Sequence, residues 1–315
     1  MKIVSCFSSL KELEPLAAAG ADEFYTAVDF LPAFSPGTLP EEDLLPAIKK
    51  VSALGKKLAL AVNSPWARGT DKEMAVLERR IRSLDKLGIG AFIIANPYLL
   101  ALFSGPGKRL RAGLHLSSVQ PVFNSLSAAF FARFGISRII LPNQLSPVEA
   151  RKILALCRAK GIETEIFDYR FFGCAYINGR CQLHSPGHYT LKSAMPEGNI
   201  CRVSSGPDGL VKLRGLDRPE RSGELPALVR RLGSRFSCGG SPRLYNAAAF
   251  FNFFAAGVPY LKYGTRQDPA AVKAGKVREL RAMIGLAEEL SSSKPAAEAR
   301  RLFVQELSRW NGGGF

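Results

Sequence analysis

The stretch Gly135-Ile-Ser-Arg-Ile-Ile140 contains the pattern that decides the fold of this chain. A helix-like run precedes the glycine, and strand-like residues follow it directly. Glycine is favoured where a helix ends because it adopts the left-handed backbone conformation without a steric clash. The stretch therefore predicts a helix, a short connection and a buried strand.

The same pattern recurs five more times along the chain. The other copies are Gly20-Ala-Asp-Glu-Phe-Tyr25, Gly55-Lys-Lys-Leu-Ala-Leu60, Gly88-Ile-Gly-Ala-Phe-Ile93, Gly161-Ile-Glu-Thr-Glu-Ile166 and Gly257-Val-Pro-Tyr-Leu261. Together with an opening strand and one near Leu116, they predict strands at 2–6, 23–26, 57–62, 91–94, 112–116, 138–141, 164–167 and 259–263. These runs are short and apolar on both sides, as expected of parallel strands covered by helices.

Eight such units predict an α/β fold, a TIM-like (β/α)8 barrel with a cysteine-rich insertion after the seventh strand. A doubly wound open sheet is the alternative, but no G-x-G-x-x-G follows the first strand. Helix starts agree, with a capping box at Ser9-x-x-Glu12 and a cap followed by proline at Ser146-Pro147. We expect residues 1–266 to form the barrel, including the insertion at 168–243, and residues 267–315 to form a C-terminal helical extension.

Composition indicates a globular protein in the cytoplasm. The 315 residues are 47% hydrophobic and 22% charged, so the chain can bury a large core. It begins without the features of a signal peptide, and no long apolar run predicts a membrane span. Residues 244–261 come nearest to one, and we expect a buried helix followed by a strand there.

The net charge of +16 would attract phosphate, whether of RNA, of an anionic lipid head group or of an acidic metabolite. No aromatic-interleaved RNA motif accompanies the charge, so a merely basic surface is the other interpretation.

Four of the six cysteines lie in the insertion: Cys174, Cys181, Cys201 and Cys238. Thiolates select iron-sulfur clusters, zinc or Cu(I), and the absence of a C-x2-C pair disfavours a zinc ribbon. Four unrelated buried thiols are the alternative to a single metal centre. Cys6 and Cys157 lie in apolar runs and are expected in the core.

Polar residues follow several predicted strands, where the active sites of this fold collect. They are Asn63, Asn96, His115, Gln120, Asn143 and Asp168. Capping of the next helix is the other explanation for Asn96 and Asp168. Lys262 and Arg266 follow the last strand and could hold a carboxylate or phosphate, or make surface salt bridges.

The insertion segment Gly173-Cys-Ala-Tyr-Ile-Asn-Gly-Arg-Cys181 resembles the Cys-x-x-Tyr-Ser-Gly-Arg-Cys signature of the collagenase-like peptidase U32 family. Other segments are similar to elements of that family, in the same order along residues 1–266. They are Ala19-Gly-Ala-Asp-Glu-Phe-Tyr25, Leu60-Ala-Val-Asn63, His115-x-x-Ser118-x-Gln120 with Asn124, and Gly257-Val-x-x-Leu-Lys262 with Arg266.

The resemblance implies a barrel whose Cys174, Cys181, Cys201 and Cys238 hold a [4Fe-4S] cluster. It is closest in type to the iron-sulfur subunits of oxygen-independent ubiquinone hydroxylation, which act as two-subunit complexes. Other similar members hydroxylate RNA bases, and prephenate is the oxygen source in some cases. Proteolysis is the older label, but the chain has no H-E-x-x-H helix and no G-x-S-x-G elbow.

The first hypothesis is therefore a hydroxylase, or a subunit of one, acting on a small aromatic quinone precursor. Its expected catalytic residues are His115, Tyr176 and Asp168. An anionic organic cofactor, prephenate or a similar oxygen donor, is expected to bind Asn63, Gln120, Lys262 and Arg266. The expected partner is a second family member in a heterodimer. The alternatives are an RNA-base hydroxylation protein that binds RNA and a non-catalytic subunit that carries the cluster.

Overall fold

The computed structural model describes residues 1–34, 38–64, 70–168, 203–205, 211–213, 246–266 and 268–312. A closed barrel of eight parallel strands dominates it, in the order β1-β10-β7-β6-β5-β4-β3-β2. The barrel strands are β1 (Lys2–Cys6), β2 (Glu23–Thr26), β3 (Lys57–Val62), β4 (Ala91–Ile94), β5 (Gly113–Leu116), β6 (Arg138–Ile140), β7 (Glu163–Phe167) and β10 (Tyr260–Tyr263). The predicted barrel is confirmed, and each predicted strand overlaps an observed one.

Helices alternate with the strands around the barrel. In the described part of the chain, a 3-10 helix at Leu10–Glu12 precedes the first of nine α-helices. The α-helices are α1 (Leu13–Ala18), α2 (Glu41–Ala53), α3 (Asp71–Asp85), α4 (Pro97–Leu102), α5 (Ser125–Ala132), α6 (Pro147–Ala159), α7 (Ala247–Ala255), α8 (Ala270–Ser293) and α9 (Ala296–Gly312).

Local sequence accounts for how these helices begin and end. Gly135 and Gly161 have φ values of 71° and 64° after α5 and α6, so they end the helices as the pattern predicts. Ser146 and Glu149 form a capping box at the start of α6, which stabilises that helix end. The predicted box between Ser9 and Glu12 is wrong, because Ser9 accepts from the Lys11 amide while Glu12 turns inward to a buried lysine.

The predicted insertion lies between β7 and α7, after the seventh strand. Only a two-stranded antiparallel hairpin, β8 (Val203–Ser205) with β9 (Val211–Leu213), falls within the described residues there. Asp168 directly follows β7, and the described chain resumes at Asn246. The insertion therefore starts at the carbonyl ends of the strands, where active sites of this fold lie.

The C-terminal helices pack against the barrel. Phe303 on α9 is fully buried, and its ring lies 5.7 Å from that of Phe250 and 5.2 Å from that of Phe251, both on α7. Helix α8 contacts α1 and β1. The predicted domain boundary at residue 266 stays a prediction. No helix in the described ranges is both long and apolar enough to cross a membrane.

Replacing Phe303 by alanine should lower the free energy of unfolding by about 3–5 kcal/mol, since a fully buried aromatic side chain leaves a cavity between α7 and α9. Chemical denaturation followed by circular dichroism measures this loss. Leu126→Ala is the control, since that side chain is 81% exposed and its truncation should change stability by less than about 0.5 kcal/mol. Equal effects of the two substitutions would contradict the packing of α9.

Candidate active site

The interior of the barrel is charged, and the expectation that the strands are apolar on both sides is wrong. Neighbouring residues of parallel strands point to the same face, and the register pairs Arg138 with Glu163 and with His115, and Tyr260 with Glu165. Arg138 lies on β6, four strands from β2 in either direction around the barrel, and nevertheless contacts Glu23 on β2. This contact shows that the charged face points inward.

Arg138 joins three carboxylates near the amino-terminal ends of the strands. Its Nη1 donates to Glu23 Oε2 at 2.8 Å and to Glu165 Oε2 at 2.9 Å, and its Nη2 donates to Glu163 Oε2 at 2.9 Å. The guanidinium also lies 3.4 Å from the centre of the Tyr260 ring. Because Arg138 is only 2% exposed, these contacts replace water as its solvation.

Lys262 continues the network toward the carbonyl ends of the strands. Its Nζ donates to Glu165 Oε1 at 2.8 Å and lies 3.7 Å from the centre of the Tyr25 ring. Glu165 therefore accepts from two cations, one below it and one above it. The expected anion-binding residue Lys262 already has a carboxylate partner.

The pKa values of this network follow from burial and pairing. Burial alone would raise the pKa of Glu165, but Lys262 and Arg138 lower it to about 2. Burial lowers the pKa of Arg138, and Glu165 and Glu23 outweigh that effect and raise it above its ordinary value. Burial lowers the pKa of Lys262, and Glu165 offsets this only in part. The carboxylate of Glu165 is therefore ionised at neutral pH.

His115 lies on β5 beside this network and is buried. Burial, and then the charge of Arg138, lower its pKa to about 3. The imidazole is therefore neutral at pH 7 and can donate or accept a hydrogen bond, but it does not carry a proton reserve near neutrality. Its catalytic role stays a prediction.

A second buried ion pair lies at the carbonyl end of β1. Lys273 on α8 is fully buried, and its Nζ donates to Glu12 at 2.6 Å and to Ser8 Oγ at 3.3 Å. The pair ties α8 to the loop that follows β1. Glu12 thus serves tertiary packing rather than capping.

Arg266 lies in the loop after β10 and is 4% exposed. Its Nη1 is buried and has no hydrogen-bond partner in the described part of the chain. Burial lowers its pKa, while Tyr25 and Cys6 act in the opposite direction. Burial raises the pKa of Cys6 to about 11 and raises the pKa of Tyr25 well above its ordinary value. Arg266 therefore lies near two neutral polar groups.

Asn63 organises the mouth on the other side of the barrel. Its Oδ1 accepts from the Phe34 amide at 3.1 Å, and its Nδ2 donates to Ser117 Oγ at 3.1 Å. These two bonds hold the loops after β2 and β5 in place. Asn96 and Asn124 are N-caps of α4 and α5, so capping explains the two asparagines.

The remaining expected site residues fall into two groups. Gln120 lies in the loop after β5 and Asp168 is buried directly after β7, where its amide donates to the Lys262 carbonyl at 3.0 Å. Tyr176 and the four expected ligands lie outside the described residues, as do His184 and His188. Within the described residues, no group of His, Cys, Asp and Glu side chains has the arrangement of a metal site.

Sequence reasoning missed the charged core of the barrel. The residues it did not name are Glu23, Arg138, Glu163 and Glu165. Glu163 and Glu165 alternate within one predicted strand, and alternate residues of a strand share a face. This spacing is the signal that would have placed two carboxylates inside the barrel.

The fold and this interior together define a (β/α)8 barrel with a polar core and a large insertion at its mouth. The chain belongs to the peptidase family U32, whose model matches residues 8–201. The predicted family membership is confirmed.

Comparison with curated proteins finds relatives named tRNA hydroxylation protein P. The relative from Helicobacter pylori strain J99 is 28% identical over 227 residues, which are 68% of this chain and 50% of the relative. The relative from Escherichia coli K12 is 27% identical over 209 residues, 64% of this chain and 43% of the relative. The chain thus spans about half the length of the curated relatives it matches.

Solved structures with a similar fold have low sequence identity. The U32 peptidase Mk0906 has a TM-score of 0.45 and 14% identity, with 53% of this chain and 68% of that chain covered. Dihydropteroate synthase from Thermus thermophilus has a TM-score of 0.40 and 16% identity, with 92% of this chain and 94% of that chain covered.

Replacing Arg138 by methionine should lower the free energy of unfolding by about 3–5 kcal/mol, because Glu23 and Glu165 would remain buried without their main cation. Arg301→Met is the matched control on the exposed side of α9, with an expected change below about 0.5 kcal/mol. Urea unfolding of both variants measures the difference. A neutral Arg138→Met would show that the carboxylates are not held as ions.

His115→Gln should flatten the pH dependence of stability between pH 6.5 and 4.5. In the wild type, the unfolded chain takes up a proton near pH 6.5, whereas the folded chain takes it up only near pH 3. The free energy of unfolding should therefore fall, as pH drops, by up to about 1.4 kcal/mol per pH unit.

The contribution of Glu165 is separable from that of His115. The folded pKa of Glu165, about 2, lies below its ordinary 4.5, so its contribution is complete above pH 4.5 and is lost as pH falls toward 2. Denaturation curves from pH 7 to pH 4.5 therefore isolate the histidine. Parallel curves for wild type and His115→Gln would show that the imidazole is solvated.

Proposed function

We propose that this chain takes part in an oxygen-independent hydroxylation of tRNA and carries a [4Fe-4S] cluster. The observation that carries the proposal is the similarity of 68% of the chain to tRNA hydroxylation protein P, within the U32 family. Because the chain spans half of that relative, the proposal assigns it the barrel-based part of the reaction.

Charge supports RNA as the substrate. The chain carries 43 lysines and arginines against 27 aspartates and glutamates, a net charge of +16. Phosphate contacts dominate the affinity of most RNA and DNA complexes and make that affinity salt-dependent. A protein that modifies tRNA needs such a surface around its active site.

The cluster would be held by Cys174, Cys181, Cys201 and Cys238. Four thiols are a donor set that suits an iron-sulfur cluster. Their segment leaves the barrel at Asp168, directly after β7 and at the carbonyl ends of the strands. When bound, the cluster would supply electron-transfer chemistry at the mouth of the barrel.

The barrel's own residues would bind and orient the reactants. In this proposal the oxygen donor is an anionic organic molecule such as prephenate, bound near Arg266. His115 is neutral and would hydrogen-bond a reactant, and Tyr176 and Asp168 are its expected catalytic companions. Gln120 is an expected binding residue in the loop after β5. Other expected binding residues, Asn63 and Lys262, are engaged with Ser117 and Glu165, so they would position the site's framework.

A small aromatic quinone precursor is the second candidate substrate, with a second family member as partner. Three small apolar residues favour it: Ala27, Ala33 and Ala61 form a buried cluster beside the carbonyl ends of β2 and β3. Small side chains leave room for a flat ring where larger ones would fill the mouth.

Anaerobically purified protein should contain about four iron and four sulfide per chain. Each of the variants Cys174→Ala, Cys181→Ala, Cys201→Ala and Cys238→Ala should lose most of both. Cys157→Ala is the control, since that thiol is buried in α6 and burial raises its pKa to about 11. Zinc in place of iron, or full iron in any of the four variants, would refute the proposed cluster.

The substrate is tested in an anaerobic bacterial strain that lacks tRNA hydroxylation protein P. Expression of this chain should restore the hydroxylated nucleoside, measured by mass spectrometry of digested tRNA, while Cys174→Ala should not. Binding of purified tRNA should weaken steeply with salt. Restored quinone synthesis without tRNA hydroxylation would favour the small aromatic substrate instead.

A further inference from the structure

Two arginines are buried inside this barrel, and their surroundings differ. Arg138 is 2% exposed and bonds to three carboxylates, whereas Arg266 is 4% exposed and pairs with no carboxylate among the described residues. A buried guanidinium is normally paired, since removing a charge from water is costly. Arg266 is therefore a cation that awaits its counter-ion.

The neighbouring charges do not supply that counter-ion. Lys262 lies two strands from β2 and is paired with Glu165 at 2.8 Å. Lys273 is paired with Glu12 at 2.6 Å. Both carboxylates are thus already engaged by lysines, and both pairs are neutral as units. The charge left over at the carbonyl end of β10 is a single positive one.

The loop that carries Arg266 is held in place by its neighbours. The Tyr25 hydroxyl donates to the Gly264 carbonyl at 3.2 Å, and the Ser8 hydroxyl donates to the Arg266 carbonyl at 3.5 Å. These bonds connect the loop after β10 to β2 and to the loop after β1. A side chain fixed in this way is preorganised for binding, because little conformational entropy remains to be lost.

We propose that Arg266 binds the single carboxylate of a small co-substrate at the carbonyl ends of β1, β2 and β10, and that Lys262 does not contact this anion. The role of that molecule as co-substrate rests on the proposed function, whereas its binding does not. A carboxylate fits the fork of a guanidinium through two parallel hydrogen bonds. One carboxylate also matches the one unpaired charge.

Burial decides between a small molecule and the RNA backbone as the source of the anion. Arg266 is 4% exposed and lies near Tyr25 and Cys6, whose inward-facing side chains are on strands β2 and β1. A phosphodiester carries its charge between two bulky sugars, so it would contact an exposed arginine more readily. The thiol of Cys6 and the hydroxyl of Tyr25 are neutral, so neither repels a carboxylate.

The test compares thermal unfolding of wild type, Arg266→Met and Arg138→Met without and with added anions. Without ligand, Arg266→Met should raise the unfolding midpoint by about 3 °C, because it removes an uncompensated buried charge, whereas Arg138→Met should lower it. Benzoate and phenylpyruvate should raise the midpoint of the wild type in a concentration-dependent way. Their apparent affinity should fall at least about tenfold in Arg266→Met.

Lys262→Met and dimethyl phosphate complete the design. Lys262→Met should keep the response to carboxylates within about threefold, since the inference assigns that lysine to Glu165. Dimethyl phosphate, a phosphodiester without bulky sugars, should give less stabilisation than the carboxylates. A response to dimethyl phosphate alone, an equal carboxylate response in Arg266→Met, or a lower midpoint for ligand-free Arg266→Met would each overturn the inference.

Failure of the inference and failure of the proposed function are distinguishable. Carboxylate binding that depends on Arg266 in a protein that hydroxylates no tRNA would retain the site and reject the function. Hydroxylation of tRNA by Arg266→Met, with an unchanged requirement for the organic donor, would retain the function and reject the site.

Discussion

The guanidinium of Arg138 bridges opposite walls of the barrel, and the charged interior depends on it. Its hydrogen bonds to Glu23 on β2 and to Glu163 and Glu165 on β7 join strands that are not neighbours in the sheet. In a barrel whose interior held only aliphatic side chains, dispersion would fill this space. Here each ion is tolerable only while its partners remain in place, so the network also constrains the register of the strands.

The network divides the barrel into a neutralised lower part and an unbalanced mouth. Glu165 accepts from Arg138 and from Lys262, so the interior charges are paired up to the middle of the strands. Above them, Arg266 is buried without a carboxylate partner among the described residues. The charge that is available for chemistry thus lies at the end of the barrel where the cysteine-rich insertion begins.

This arrangement is compatible with the reaction we propose. Binding residues on strands and tight loops are held more rigidly than residues on long loops. The barrel would provide that rigid half of the site, and the insertion would provide the thiols. Family membership and the similarity to tRNA hydroxylation protein P agree with a chain that combines both parts.

Local chemistry explains why much of the fold was predictable from sequence. Gly135 and Gly161 end helices because of their backbone freedom, and Ser146 with Glu149 begins one through a capping box. Such signals act over a few residues. They predicted all eight strands, the closed parallel barrel and the position of the insertion. They also misassigned Glu12, whose partner Lys273 lies 261 residues away.

The sequence by itself determined the order of strands and helices, the family, and the polar residues that follow the strands. Only the tertiary structure decided which charges pair. Lys262 and Arg266 are equivalent in sequence, four residues apart after one strand, yet the structure gives one a buried carboxylate and leaves the other without one among the described residues. Pairing depends on distances across the barrel, and these exist only once the sheet has closed.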